Sequence, residues 1–197
     1  VKALLFSGGI DSTAIAAWQR PDILVTVDYG QAPAGGELRA ATAIAERLGL
    51  RHQVIRIDCR QLGQGHLAGR EASPLGAAPE WWPYRNQWLV TVCAMRFVSE
   101  GLRDVLIGTV AGDEVHRDGR PAFVDALDML LSLQEGGVRL RAPAIGLRSE
   151  DLLERAPGVA GLLPWTFSCH VADQACGQCR GCAKHRMVLG NARRSAN

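Results

Sequence analysis

A short apolar run, Ala3-Leu4-Leu5-Phe6, passes directly into Ser7-Gly8-Gly9-Ile10-Asp11-Ser12-Thr13. No other stretch narrows the possible folds as much. A strand, a glycine-rich turn and a helix in immediate succession is how α/β proteins build an anion site. The N–H groups of the turn and of the helix N-terminus point at a phosphate, and the helix dipole adds to the attraction. Gly8 and Gly9 let the backbone approach a ligand with no Cβ in the way. Ser7, Ser12 and Thr13 contribute hydroxyls, and Asp11 falls where a helix N-cap is favoured. No Gly-x-x-x-x-Gly-Lys-Ser/Thr is present, so this is not a Walker-type loop. The plain alternative is a strand–turn–helix corner with a capping Asp.

Periodicity extends the same architecture along the chain. Strands are predicted at residues 2–6, 23–29, 52–58 and 105–108, with a short extended piece at 140–145. Helices are predicted at 13–19, 37–48 (stopped by Gly49), 86–100, 121–135 and 149–154, the last capped by Ser149. Residues 61–84 are rich in Gly, Pro and Ala with weak periodicity, a loop long enough to be functional or mobile. Near-continuous apolar strands alternating with helices imply an α/β fold with a doubly wound parallel sheet. Ligands in such sheets sit beyond the strand C-termini. The loop after the first strand, Asp28-Tyr29-Gly30-Gln31 after the second and Gly108-Thr109 after the fourth are therefore expected on one rim.

Four of the six cysteines form Cys169-x6-Cys176-x2-Cys179-x2-Cys182, with Gly177 and Gly181 letting the chain curl round an ion. Four thiolates without a suitably spaced His fit a closed tetrahedral Zn²⁺ site. An Fe–S cluster is the metal alternative, and two disulfides or idle thiols the non-metal ones. His170 and His185 read as bystanders, Cys59 and Cys93 as core residues. The expected organisation is a nucleotide-binding domain over 1–160 and a small C-terminal zinc-binding segment over 161–197, too short to fold without its metal. A net charge of +2 gives no global field for nucleic acid, although the positive charge is nearly all arginine. No run of 18 apolar residues exists, and the expectation is a soluble, cytoplasmic protein.

The loop resembles the pyrophosphate loop of the ATP-pyrophosphatase superfamily. Together with the cysteine cluster and the segments between, the chain resembles the 7-cyano-7-deazaguanine synthase family of queuosine precursor biosynthesis. The matching pieces are Ser7–Ser12, Asp28-Tyr29-Gly30-Gln31, Glu37–Leu48, Pro83-Tyr84-Arg85-Asn86, Gly108 to Asp113, Arg120–Leu127 and Thr166-Phe167-Ser168-Cys169 through Cys182. The resemblance implies an ATP-dependent ligase that adenylates the carboxylate of 7-carboxy-7-deazaguanine. Ammonia then gives an amide, and a second activation dehydrates it to the nitrile. It implies that Phe6, Ser7, Gly8, Gly9, Ile10, Asp11, Ser12 and Thr13 cradle ATP, with Asp28, Tyr29 and Gly108 beside them. Asp11 would help hold Mg²⁺. Tyr84, Arg85, Asn86, Asp113, Asp118 and Arg120 are the implied substrate residues, with Asp11, Arg85 and Asp113 the catalytic ones. Arg85 suits a carboxylate or phosphate, Asn86 a helix cap, and Trp81 and Trp82 either stack on a base or close a packed loop. A homodimer is implied as well.

The chain departs from the family pattern in three places. Ala32-Pro33-Ala34-Gly35-Gly36 stands where Arg-His usually follows Asp-Tyr-Gly-Gln. Asp113-Glu114-Val115-His116-Arg117-Asp118-Gly119-Arg120 replaces a stretch with two tyrosines and a cysteine, and Arg148 stands for a lysine. These keep a second reading open, in which the activated carboxylate passes to another amine such as a protein N-terminus, as in bacterial defence relatives. A tRNA-modifying pyrophosphate-loop enzyme and a non-catalytic zinc-and-nucleotide-binding subunit are the remaining readings.

Overall fold

The computed structural model describes residues 1–112 and 115–195. Five parallel strands form its centre: β1 (Lys2–Leu5), β2 (Ile23–Asp28), β3 (Arg51–Arg56), β4 (Asp104–Leu106) and β5 (Arg139–Arg141), in the order β3-β2-β1-β4-β5. The helices are α1 (Ile10–Gln19), α2 (Ala34–Leu48), α3 (Arg85–Phe97), α4 (Pro121–Ser132), α5 (Ser149–Arg155) and α6 (Arg180–Ser195). β1 and β2 read Ala-Leu-Leu and Ile-Leu-Val-Thr-Val because both faces of the sheet are covered. Leu4, Leu24 and Leu106 pack with α1, α2, α5 and Val188 of α6 on one face. Ala3, Val25, Val105 and Leu140 pack with α3 and α4 on the other. This is the doubly wound α/β arrangement that the strand–helix alternation implies. No helix among the described residues is long and apolar enough to cross a membrane.

Several boundaries differ from the sequence expectation, and each difference has a local cause. α1 starts at Ile10 with Gly9 as N-cap, so Asp11 lies in the first turn instead of capping. α2 starts three residues early because Asp173, distant in sequence, accepts hydrogen bonds from Gly35 N at 2.8 Å and Gly36 N at 3.3 Å. Its expected stop holds: Gly49 is left-handed at φ 62° and caps the helix. In α5, Arg148 and not Ser149 holds the cap position, with no side-chain cap. The extended piece after α4 is an edge strand, β5, paired to β4. Helix α6 has no counterpart in the expected elements.

The loop of residues 61–84 is packed. Ala32 N donates to Leu67 O at 2.7 Å, and His66 N to Pro79 O at 2.8 Å. Leu67 and Trp82 join the core on the α3 side, where Trp82 meets Tyr29 edge-on at 4.8 Å. Cys59 and Cys93 are buried as expected, and burial pushes the Cys93 thiol up to about 12.

Candidate active site

The strand order reverses direction between β1 and β4, the place where open α/β sheets leave a crevice at the strand C-termini. A cavity of about 680 Å³ lies there. Phe6, Ser7, Gly9, Ile10, Asp11 and Ser12 line it from the β1 loop, and Gly108 and Thr109 from the β4 loop. The first intrahelical bond of α1 is Thr13 N to Gly9 O at 3.0 Å. The N–H groups of Ile10, Asp11 and Ser12 therefore have no acceptor among the described residues. Ser12 Oγ donates to Gly9 O at 3.1 Å and lies 3.4 Å from Ser7 Oγ, which accepts from Gly9 N at 3.3 Å. Open donors, a helix dipole and two hydroxyls make an anion cradle.

The two glycines of the turn do different jobs. Gly8 has φ 74°, and a Cβ there would stand 2.7 Å from Ala41 N and 2.8 Å from Ala40 Cβ. Its missing side chain admits α2 against the loop. Gly9 faces the cavity, with Phe167 O 3.6 Å and Ser168 Oγ 3.7 Å from where a Cβ would be. Thr13 is fully buried behind the loop with Oγ1 unpaired, outside the cavity.

A second wall carries Tyr29, Glu37 and Arg85. The Arg85 guanidinium stands beside the Tyr29 hydroxyl. Burial opposes its charge, but Tyr29, Asp118 and Glu37 around it hold its pKa above the ordinary arginine value. Burial raises Tyr29 beyond the normal phenol range, so it stays neutral. Burial likewise drives Glu37 up to about 7, although Gln31 Nε2 donates to it at 2.8 Å and Arg85 stands near. Asn86 is the second residue of α3 and does not cap it; Asp118 Oδ2 accepts from Asn86 N at 3.4 Å, and Asn86 Nδ2 donates to Asp118 O at 3.2 Å. Tyr84 holds the cap position at φ 55° and is 78% exposed, outside the cavity. Arg120 caps α4 from outside the cavity. Asp28 turns away, accepting from Gly30 N at 3.2 Å beside Arg56. Asp113 lies outside the described residues.

The third wall is built on Glu80, Arg180 and Lys184, which the sequence did not single out, and brings in His170 and His185, read from the sequence as bystanders. Glu80 is buried, and its Oε1 accepts from Arg180 at 2.8 Å with His116 Nε2 at 3.4 Å and His170 Nδ1 at 3.9 Å. Burial would raise this carboxyl, but the His116 hydrogen bond, a backbone N–H and the His170 and Arg180 charges bring it down to about 2. Lys184 Nζ donates to Asp11 Oδ2 at 2.8 Å, while Asp11 Oδ1 is buried without a partner. His185, one residue on, lies 3.2 Å from Thr166 Oγ1.

The four cysteine sulfurs all lie within 4.8 Å of one another, with Cys176 and Cys182 at 3.9 Å. A tetrahedron with bonds of about 2.3 Å has an edge of about 3.8 Å, so one Zn²⁺ fits and a multi-iron cluster is too wide. Cys176 Sγ accepts from Gln178 N and Cys179 N, and Cys179 Sγ from His170 N and Cys182 N, each at 3.4 Å. Those backbone donors bring Cys176 down to about 6, whereas burial drives Cys182 up to about 12. The segment is tied to the anion loop by Phe167 N, which donates to Gly8 O at 2.9 Å.

Residues 2–192 match the family described as queuosine biosynthesis protein QueC. The chain belongs to the QueC family. A 7-cyano-7-deazaguanine synthase of Desulforudis audaxviator (strain MP104C) is 31% identical over 217 residues, covering 98% of this chain and 96% of its own. Synthases of the same name from Azotobacter vinelandii (strain DJ / ATCC BAA-1303) and Nitrosomonas eutropha (strain DSM 101675 / C91 / Nm57) are each 32% identical, over 203 and 200 residues. Each of those two matches covers 91% of this chain and 88% of the relative. Membership makes the chain an ATP-dependent enzyme of the ligase type, as the resemblance implied. Within this QueC fold, Glu80 and Lys184 escaped the sequence reading because their partners are remote, Arg180 and Asp11 being 100 and 173 residues away. One signal was present: Lys2 and Lys184 are the only lysines in the chain.

Proposed function

We propose that the chain adenylates the carboxylate of 7-carboxy-7-deazaguanine with ATP and converts it, through an amide formed with ammonia, to 7-cyano-7-deazaguanine. The observation that carries this reading is one cavity joining the open N–H groups of α1, the Asp11 carboxylate and the Arg85 guanidinium. A carboxylate has no leaving group. Attack of its oxygen on the α-phosphorus expels pyrophosphate and leaves AMP on the acyl carbon. Ammonia then displaces AMP to give the amide. Activation of the amide oxygen by a second ATP lets nitrogen lose its protons as AMP departs, leaving the nitrile.

Ser7, Gly9, Ile10, Asp11 and Ser12 would hold the polyphosphate. Gly8 and Thr13 shape the loop from behind, and Phe6 and Gly108 bound its two sides. The unpaired Asp11 Oδ1 fits Mg²⁺, which supplies charge neutralisation on the phosphates. Arg85, with Tyr29, Asn86 and Asp118 beside it, would orient the acid in line, work of positioning and electrostatics. Zn²⁺ on Cys169, Cys176, Cys179 and Cys182 would hold residues 161–197 as a clamp on the unit of residues 1–160. Zinc thiolates and free Cys59 and Cys93 suit a reducing cytoplasm. A homodimer would cover Met129, Leu130 and Leu133, exposed at and just beyond the end of α4. Light scattering of the purified chain measures that assembly directly. The activity test is pure metal-loaded protein with Mg²⁺, ATP, 7-carboxy-7-deazaguanine and ammonium, followed by mass spectrometry. The expected product is lighter than the amide by one water, with AMP and pyrophosphate released; no acid-dependent AMP would refute the reading.

A second reading rests on the altered segment that replaces the family's stretch of two tyrosines and a cysteine, from which Val115, His116, Asp118 and Gly119 line the cavity. It gives the activated carboxylate to a protein amine, and a covalent deazaguanine adduct on a partner protein is its test. Nucleic acid as substrate finds no support in a net charge of +2.

A further inference from the structure

Arg180 and Lys184 stand one turn apart on α6, and both line the cavity. Their cationic groups reach Glu80 and Asp11, each at 2.8 Å. Cys179 and Cys182 bracket Arg180, and Lys184 follows two residues later. The turn is closely packed: a Cβ on Gly181 would run into Ser168 O and lie 2.7 Å from His170 Nε2. Ser168 in turn sits between Phe167, bonded to the anion loop, and Cys169. The sulfur cluster therefore sets where two active-site cations stand.

We infer that the four-cysteine centre delivers Lys184 to the nucleotide. Lys184 neutralises Asp11 in the free protein and contacts phosphate oxygens once a divalent cation occupies the Asp11 carboxylate. The inference rests on the reading that this cavity takes ATP. A bare carboxylate at the edge of an anion cradle repels polyphosphate, and the Lys184 ammonium cancels that charge. An ammonium carries three donors in a compact head, so it can exchange a carboxylate for a phosphate by a small rotation. The buried, unpartnered Asp11 Oδ1 gives the incoming cation a ligand already in place. Each charge thus keeps a partner before and after binding, and neither half-buried ion is stranded.

The experiment is isothermal titration of the metal-loaded full chain with Mg²⁺ and α,β-methylene ATP, alongside metal content and melting temperature. Lys184→Met is expected to weaken binding about tenfold or more, the worth of one charge-assisted hydrogen bond, with metal content unchanged. Lys184→Arg should restore most of the affinity. Cys176→Ser protein that has lost its metal but keeps its far-ultraviolet dichroism should lose affinity by a similar factor. The Asp11→Asn/Lys184→Met pair, which leaves no orphan charge, provides a folded comparison should Lys184→Met misfold, and it should bind more weakly than Asp11→Asn alone. Wild-type affinity in Lys184→Met, or in folded metal-free protein, overturns the inference while leaving the ATP reading intact. Absence of nucleotide binding by the wild type overturns both.

Discussion

Two glycines of α6 should respond to the same substitution with opposite signs. Alanine in place of glycine in a helix interior gains about 1 kcal/mol, because the unfolded chain has less freedom to lose. At Gly190 a Cβ would find nothing within 4 Å, so that gain should be realised. For a domain of this size it corresponds to a rise in Tm of about 2–4 °C. At Gly181 the Cβ would run into the carbonyl oxygen of Ser168, a backbone atom that no rotamer change can move. Separation to ordinary contact requires displacing either α6 or the 168–170 segment, and overpacking of this kind costs about 3 kcal/mol. Gly181 is the second residue of α6, where the interior propensity gain does not apply, so a loss of about 3 kcal/mol and a fall in Tm of about 6–12 °C are expected. Scanning calorimetry of both metal-loaded variants at one scan rate checks this, with bound metal measured in parallel. If Gly181→Ala raised Tm as Gly190→Ala should, the packing of α6 on Ser168 would be refuted. The placement of Arg180 and Lys184 through Ser168 would then be refuted as well.

Glu37 makes stability depend on pH in an uncommon direction. Its folded pKa of about 7 lies above its ordinary value of 4.5, so between these pH values the folded state holds a proton that the unfolded state has released. Stability contributed by Glu37 is full below pH 4.5 and declines as pH rises to about 7. Glu37→Gln, which keeps an acceptor for Gln31, should flatten the urea-unfolding profile over that window; an unchanged slope would remove the argument. Stripping the cysteine metal with a strong chelator should lower Tm by roughly 5 °C or more, since metal-binding energy is folding energy here. Equal melting curves with and without chelator would contradict that. Arg20 ends α1 at φ 43° with an exposed side chain, so Arg20→Gly should stabilise by about 1 kcal/mol in equilibrium unfolding, and a loss of stability would mean the side chain matters more than the strain.

Local signals read well from the sequence wherever the determining partners were near neighbours. The β1 loop was recognisable because two glycines between a strand and a helix leave little else to build. The cysteine cluster was recognisable because three of its thiols recur at x2 spacing. Readings faltered where an element depends on distant chain. The start of α2 depends on Asp173, and β5 is a strand because β4 offers it an edge. Gly8 reads from the sequence as an opening toward ligand, yet the atoms that exclude its Cβ belong to α2. Helix α6, polar and carrying two glycines, shows its apolar face only through Val188 and Leu189 against α1 and α5.

The order of residues by itself determined the alternation of strands and helices, the anion loop, the thiol set and the family. These depend on spacing along the backbone, and spacing is written in the chain. Tertiary structure alone decided that Glu80 is buried among Arg180, His116 and His170, and that Lys184 meets Asp11. Coulomb and packing forces act through space, so contacts spanning most of the chain exist only once the sheet has closed around its crevice.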